Sequence, residues 1–143
     1  MRDAEKSVGK IFDKSTMATL CYLEEEDDDP TPTIRAILTP REREGVRVFY
    51  LTGGVSPQKK AGLREKPEAS LYFLNRYFNR GVCLSGTVEV LDDSASKKRL
   101  WRTGDTMYYR QGVTDPDYCV LKFTAVRGRY YSNFKSENFA IPD

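Results

Sequence analysis

The clearest periodicity in the chain runs from Gly81 to Leu91. Val82, Leu84, Gly86, Val88 and Val90 alternate there with Cys83, Ser85, Thr87 and Glu89. Period-two alternation puts one set on each face of a strand, so this stretch predicts a long strand with one buried side. Shorter runs of strand formers precede it: Thr16 to Leu23, Thr33 to Thr39 ended by Pro40, Val46 to Thr52 entered through Gly45, and Ala69 to Leu74. Two more follow, Tyr118 to Thr124 and Gly128 to Asn133. Gly53-Gly54 reads as the break after the third strand, and Asn75 to Arg80 as a turn.

Helical spacing is confined to short pieces. Val8, Ile11 and Phe12 recur at helical intervals between Asp3 and Asp13, with Asp3 as a candidate cap. Ser56-Pro57 is a helix start, with serine at the cap and proline at the first helical position, and Lys66-Pro67 ends it. Asp92-Asp93-Ser94 caps a third short helix running to about Trp101. Arg102 to Pro116 has no regular pattern. About seven strands with short helices at their rims suit a mainly β chain folded as a closed or partly closed antiparallel barrel. A βαβ layout would need longer helices between strands.

The run Glu24-Glu25-Glu26-Asp27-Asp28-Asp29-Pro30 reads as a solvated hairpin loop. It lacks the glycine-punctuated spacing of a calcium loop. With 143 residues and no internal repeat or linker, the chain reads as one domain, residues 1–143. A chain of that length buries roughly two thirds of its unfolded surface.

Composition then narrows the chemistry. The 23 basic and 21 acidic residues nearly cancel to +2, which leaves no bulk attraction for nucleic acid or a membrane. No apolar run reaches the ~20 residues of a bilayer span, and the charged start Met1 to Lys6 leads into no signal-like segment, so the expected location is the cytoplasm. Cys21, Cys83 and Cys119 are odd in number and far apart, and read as reduced core thiols. There is no histidine. That removes His-dependent nucleophilic triads and, with no CxxC pair, the usual zinc sites. Reactivity is therefore expected from an organic cofactor.

One place gathers anion-binding chemistry. Arg35 leads the second strand and Thr39 closes it, while Thr52 and Gly53-Gly54 close the third. The Ser56 hydroxyl, the free amides of the next helix, and Lys59 and Lys60 in its first turn follow directly. Helix N-termini bind anions, and arginine adds a two-pronged contact. Locally the plainer reading stays open: Ser-Pro is an ordinary helix start, and lysines there usually face solvent. Arg76-Tyr77-Phe78-Asn79-Arg80 mixes rings and cations as single-strand nucleic-acid binders do, yet rings packed at a dimer seam account for it with less. Trp101, the only tryptophan, reads first as a core or interface anchor.

Four elements occur in order along the chain: Arg35-Ala36-Ile37-Leu38-Thr39, Phe49-Tyr50-Leu51-Thr52, Ser56-Pro57-Gln58-Lys59-Lys60 with Leu63, and Lys66-Pro67-Glu68-Ala69-Ser70-Leu71. Ser85 to Val90, Leu100-Trp101 and Asp115-Pro116-Asp117-Tyr118 follow. From about Thr16 to Tyr131 the chain resembles the pyridoxamine 5′-phosphate oxidase-like FMN-binding split barrels, above all their general stress protein 26 branch. The resemblance implies a six-stranded antiparallel barrel of Greek-key type, a homodimer, and FMN in clefts between the subunits. It implies that Arg35 and Lys59 or Lys60 hold the phosphate with help from Ser56. The backbone from Ala36 through Ile37 and Leu38 to Thr39 would line the ring, Leu51 and Thr52 would touch the ring or ribityl chain, and Trp101 with Tyr108-Tyr109 would approach from the interface.

Departures qualify it. The loop before the lysines is one residue longer than usual, which leaves Lys59 and Lys60 both open. Gln58 replaces a common second basic residue, and Gly81 a polar one. The C-terminal segment that grips pyridoxal phosphate is missing, so a true pyridoxamine phosphate oxidase is not expected. The expectation is a flavin-dependent oxidoreductase, with a nicotinamide donor docking transiently because no GxGxxG is present. A non-catalytic flavin-binding stress module stands second, a nucleic-acid-binding barrel third, and a deazaflavin remains open as ligand.

Overall fold

The computed structural model describes residues 2–141 apart from 16, 27–28, 76–78 and 133. Helix α1 spans Arg2–Lys14, so Asp3 lies inside its first turn and is not its cap. Strands β1 (Met17–Glu26), β2 (Asp29–Leu38), β3 (Glu42–Glu44) and β4 (Val48–Gly54) follow, then helix α2 (Pro57–Glu65). Strands β5 (Glu68–Asn75) and β6 (Arg80–Leu91) lead to helix α3 (Ser94–Leu100). Two single 3-10 turns precede the final strands, β7 (Tyr118–Ser132) and β8 (Lys135–Ala140).

All pairings are antiparallel, in the order β2-β1-β5-β6-β7-β4-β3, with β8 on β7. Six strands, β2 to β4 in that order, form the barrel wall, and β3 and β8 are additions to it. The wall is split because β2 and β4 are not hydrogen-bonded neighbours. Inward residues Ala18, Leu20, Ile37, Phe49, Leu51, Leu71, Phe73, Leu84 and Phe123 form one core. Helix α1 adds Val8, Ile11 and Phe12 to it. The Phe12 ring meets Phe49 edge-on at 5.0 Å and Phe73 at 4.6 Å. Such ring pairs add about 0.5–1.5 kcal/mol each beyond buried area.

Several expectations are corrected. The acidic run is not a loop from Glu24 to Pro30: β1 continues to Glu26 and β2 begins at Asp29, paired through Glu25↔Pro30 and Glu26↔Asp29. Backbone pairing does not need apolar side chains, and both prolines, Pro30 and Pro32, lie on β2, which has only β1 as partner and so tolerates a missing N–H. Thr16, Asp27-Asp28, Arg76-Tyr77-Phe78 and Asn133 lie outside the described residues. Gly53-Gly54 does not break its strand but ends it, paired with Cys119 and Tyr118. Gly45, at φ +57, turns β3 into β4, and Val46 belongs to that turn, which closes by Arg47 N–H to Glu44 O at 3.1 Å.

The last two predicted strands are one strand, β7. Buried positions fall on Leu121, Phe123 and Ala125, then shift to Gly128. The pairing explains the shift: Ser85 faces Arg127 while Gly86 faces Ala125, so Val126 is an extra residue in a bulge. A phase slip in sequence thus reads as a strand end, although the backbone runs on. β8 was not expected. It carries Phe139, 5% exposed, whose ring lies where a Cβ on Gly128 would sit.

The bulge rests on glycine. A Cβ at Gly86 would lie 1.9 Å from the Thr124 carbonyl oxygen, a backbone atom that cannot swing away. Gly86→Ala is expected to lower stability by about 1–3 kcal/mol, the usual range for overpacking, in denaturant unfolding. A midpoint equal to the parent protein's would refute the close approach.

Candidate functional site

The border between β2 and β4 is bridged by a side chain. Arg35 pairs with Leu20 across β1–β2 and shares its inward face. Its guanidinium crosses to β4, where Nη1 donates to the Gly54 carbonyl at 2.7 Å. Among the described residues no carboxylate pairs with Arg35. A Cβ at Gly54 would lie 3.4 Å from Tyr109 Cε1, 3.7 Å from the Tyr109 hydroxyl oxygen and 3.9 Å from Arg35 Nη2. A guanidinium, a bare stretch of backbone and a phenol therefore meet at one point.

Helix α2 starts two residues beyond Gly54's neighbour Val55. Ser56 is its N-cap, with Oγ accepting from the Lys59 amide at 3.4 Å, as the Ser-Pro pattern predicts. Lys59 projects into solvent and Lys60 does not. Lys60 is 7% exposed and its Nζ donates to the Pro116 carbonyl at 2.7 Å. The two lysines left open by sequence thus have different surroundings.

Residues 101–117 form a strap across this end of the barrel. Trp101 is half-buried and packs on Tyr118 at 5.0 Å, edge-on, and on Tyr109 at 6.2 Å. Tyr109 lies 4.9 Å from Tyr118. Arg41 grips the strap through both terminal guanidinium nitrogens, to Asp105 at 2.5 and 2.7 Å, and Nη1 also donates to the Leu100 carbonyl. Both side chains of this pair are under 10% exposed, at 8% and 6%. Burial, before any neighbour, pushes the Tyr109 hydroxyl up to about 12, so it stays a neutral donor. Burial likewise pushes Cys119 up to about 11, and its thiol, 3.7 Å from the Gly53 carbonyl, stays protonated and unreactive.

The other expected site residues divide by side-chain direction. Ala36 and Leu38 face outward on β2, and Ile37 is in the core. Leu51 is fully buried in the core, so only its backbone is available to a ligand, and Thr52 is buried beside it. Thr39 lies past the end of β2 in a separate recess of about 190 Å³ with Phe12, Arg41 and Arg43. Sequence reasoning missed Lys97, Arg41 and Asp105. Lys97 and Leu100, spaced i, i+3, are the buried face of α3, but a lysine there reads as solvent-facing.

A barrel split at β2/β4, with cations and a helix N-terminus at the split, defines the class as a split-barrel protein. The sequence matches the family model described as pyridoxamine 5′-phosphate oxidase like over residues 3–141. The chain belongs to that family. It is similar in structure to a protein related to general stress protein 26 from Clostridium acetobutylicum, with TM-score 0.89 and 30% identity over 99% of this chain and 96% of that one. General stress protein 26 from Bacillus anthracis str. Sterne gives 0.69 at 15% identity, covering 96% of this chain and 98% of that one. A NimC/NimA family protein from Clostridium acetobutylicum gives 0.68 at 22%, covering 96% and 94%. Comparison with curated protein sequences gives no match. Among the described residues no helix is long and apolar enough to cross a membrane.

The Arg41–Asp105 pair makes stability depend on acid. The Arg41 hydrogen bond holds the Asp105 carboxyl below the usual carboxylate range, against the opposing effect of burial. On acidification the unfolded chain takes its proton first, at about pH 4, and the folded chain only lower. The pair's stabilisation is thus complete above about pH 5 and is lost as pH falls through 4 towards the folded value. Asp105→Asn strands the buried guanidinium and is expected to cost about 3 kcal/mol at pH 7 and to flatten the acid limb of stability against pH. An unchanged acid limb would remove Asp105 as its source.

Proposed function

We propose that this protein binds FMN at the β2/β4 split, as a homodimer, and serves as a flavin-dependent oxidoreductase. One observation carries the reading: the Arg35 guanidinium, without a carboxylate partner among the described residues, sits at the split wall beside the α2 N-terminus. A phosphate dianion is the chemistry that completes it. Arg35 keeps Nη2 and Nε for charge-assisted bonds, Ser56 and the first α2 amides add neutral donors, and Lys59 is the mobile cation at the rim. Lys60 is already bound to Pro116 and is the weaker candidate for direct contact.

Bound flavin supplies hydride acceptance, for which the chain needs no histidine. The chain's own contribution is to orient the cofactor, offer backbone donors along Ala36 to Thr39, and exclude water beneath Trp101 and Tyr109. Family membership supports a flavin ligand, and a deazaflavin shares the aromatic core. The outer sheet face supports a second copy as partner: Met17, Ile34, Tyr72 and Leu74 are exposed there, between 38% and 72%. A nicotinamide donor is the proposed source of electrons, and the cytoplasm the proposed location.

Titration by visible absorbance tests the reading. FMN is expected to bind with a shifted, structured flavin band, and riboflavin, which lacks the phosphate, much more weakly. Arg35→Ala is expected to cost about 1.5–3 kcal/mol of FMN affinity, the range for a charged hydrogen bond. Equal affinity for FMN and riboflavin would contradict the phosphate clamp. Steady-state oxidation of a reduced nicotinamide separates an enzyme from a flavin-holding module, which would bind but not turn over.

A further inference from the structure

Two lysines are buried for which the cofactor reading gives no direct use. Lys60 on α2 and Lys97 on α3 are 7% and 8% exposed. Neither forms an ion pair among the described residues. Each donates instead to a backbone carbonyl, and the two carbonyls are consecutive: Lys97 Nζ to Asp115 O at 3.0 Å, Lys60 Nζ to Pro116 O at 2.7 Å. A buried ammonium gives up its hydration and needs a replacement acceptor, which each carbonyl supplies.

The contacts fix one end of the strap. Asp117 O also accepts from Val55 N–H at 2.9 Å, and the Asp115 carboxylate closes its own turn by accepting from Gln111 and Asp117 amides. The Tyr118 hydroxyl donates back to Lys97 O at 2.8 Å, and the Lys97 ammonium lies 5.5 Å from the Tyr118 ring centre. Arg41 holds the other end through Asp105. Between these anchors Tyr109 meets the barrel through its ring against Trp101, Tyr118 and Gly54.

We propose that Lys60 and Lys97 are positioning residues: as a two-ammonium latch on the Asp115–Pro116 carbonyls, they tie helices α2 and α3 to the strap and hold Tyr109 closed over Gly54 beside Arg35. The latch makes the anion edge of α2 and the aromatic cover one mechanical unit. Its consequence for ligand affinity rests on the FMN reading. Its consequence for the strap does not.

Trp101, the only tryptophan, reports the strap directly. Lys60→Met keeps the stem and removes the ammonium. It is expected to shift Trp101 emission to the red in the ligand-free protein and to weaken FMN about tenfold, with far-ultraviolet dichroism unchanged. Lys60→Arg restores both. Lys59→Met weakens FMN but leaves Trp101 emission alone. In a Tyr109→Ala background Lys60→Met is expected to cost little further affinity, because it acts through Tyr109. Unchanged emission in Lys60→Met, or full additivity with Tyr109→Ala, overturns the proposal. Hydrogen exchange on the unaltered protein needs no variant: the Tyr109 and Gly112 amides, bonded to Asp105 O and Tyr109 O, are expected to exchange as slowly as β7, and loop-like rates overturn the latch. If the parent protein ignores FMN, the cofactor reading fails while emission and exchange still decide the latch.

Discussion

A guanidinium turned inward where two strands meet without pairing is the constraint around which this end of the molecule is arranged. Had β2 and β4 closed the barrel with a ladder, their backbone donors would be spent on each other. Because they do not, Arg35 reaches the Gly54 carbonyl, and its remaining donors stay available. The neighbouring elements converge on that corner. The β4 end runs directly into the α2 cap, and the strap brings Tyr109 against Gly54, a backbone carbon without a side chain.

The electrostatics share one feature. Lys60, Arg35 and Lys97 all act on the buried Cys119 thiol, with Asp92 opposing them. Each cation donates to a carbonyl oxygen, at Gly54, Pro116 and Asp115. Carbonyl dipoles steady a cation without cancelling its charge. Arg35 is thus the cation left facing the split, while Lys60 and Lys97 are spent on the strap. Arg41, by contrast, is paired with Asp105 and belongs to structure.

Much of this was legible in sequence. Alternation in β6 marks its two faces, and Ser56-Pro57 and Asp93-Ser94 mark helix starts that the structure keeps. The acidic run and β7 were misread for physical reasons. Side-chain polarity says little about backbone pairing on an edge hairpin, and a bulge at Val126 imitates a strand end by shifting the phase of burial. β3, with three residues, is too short to carry a period. At the site, the motif order pointed to Arg35, Ser56 and the lysine pair, yet composition alone does not tell Lys59 from Lys60. Which one is buried depends on whether Pro116 O is within reach, a contact 56 residues away in the chain. Lys97 is hidden for the same reason.

The central claim is that Arg35, at the split wall, holds the phosphate of a flavin mononucleotide. A crystal structure of the protein grown with FMN tests it most directly. The account predicts phosphate density within hydrogen-bond distance of the Arg35 guanidinium and the first α2 amides, with the ring system along the β2 backbone. Flavin seated away from the β2/β4 split, or a phosphate that leaves Arg35 bound to Gly54 alone, would contradict it.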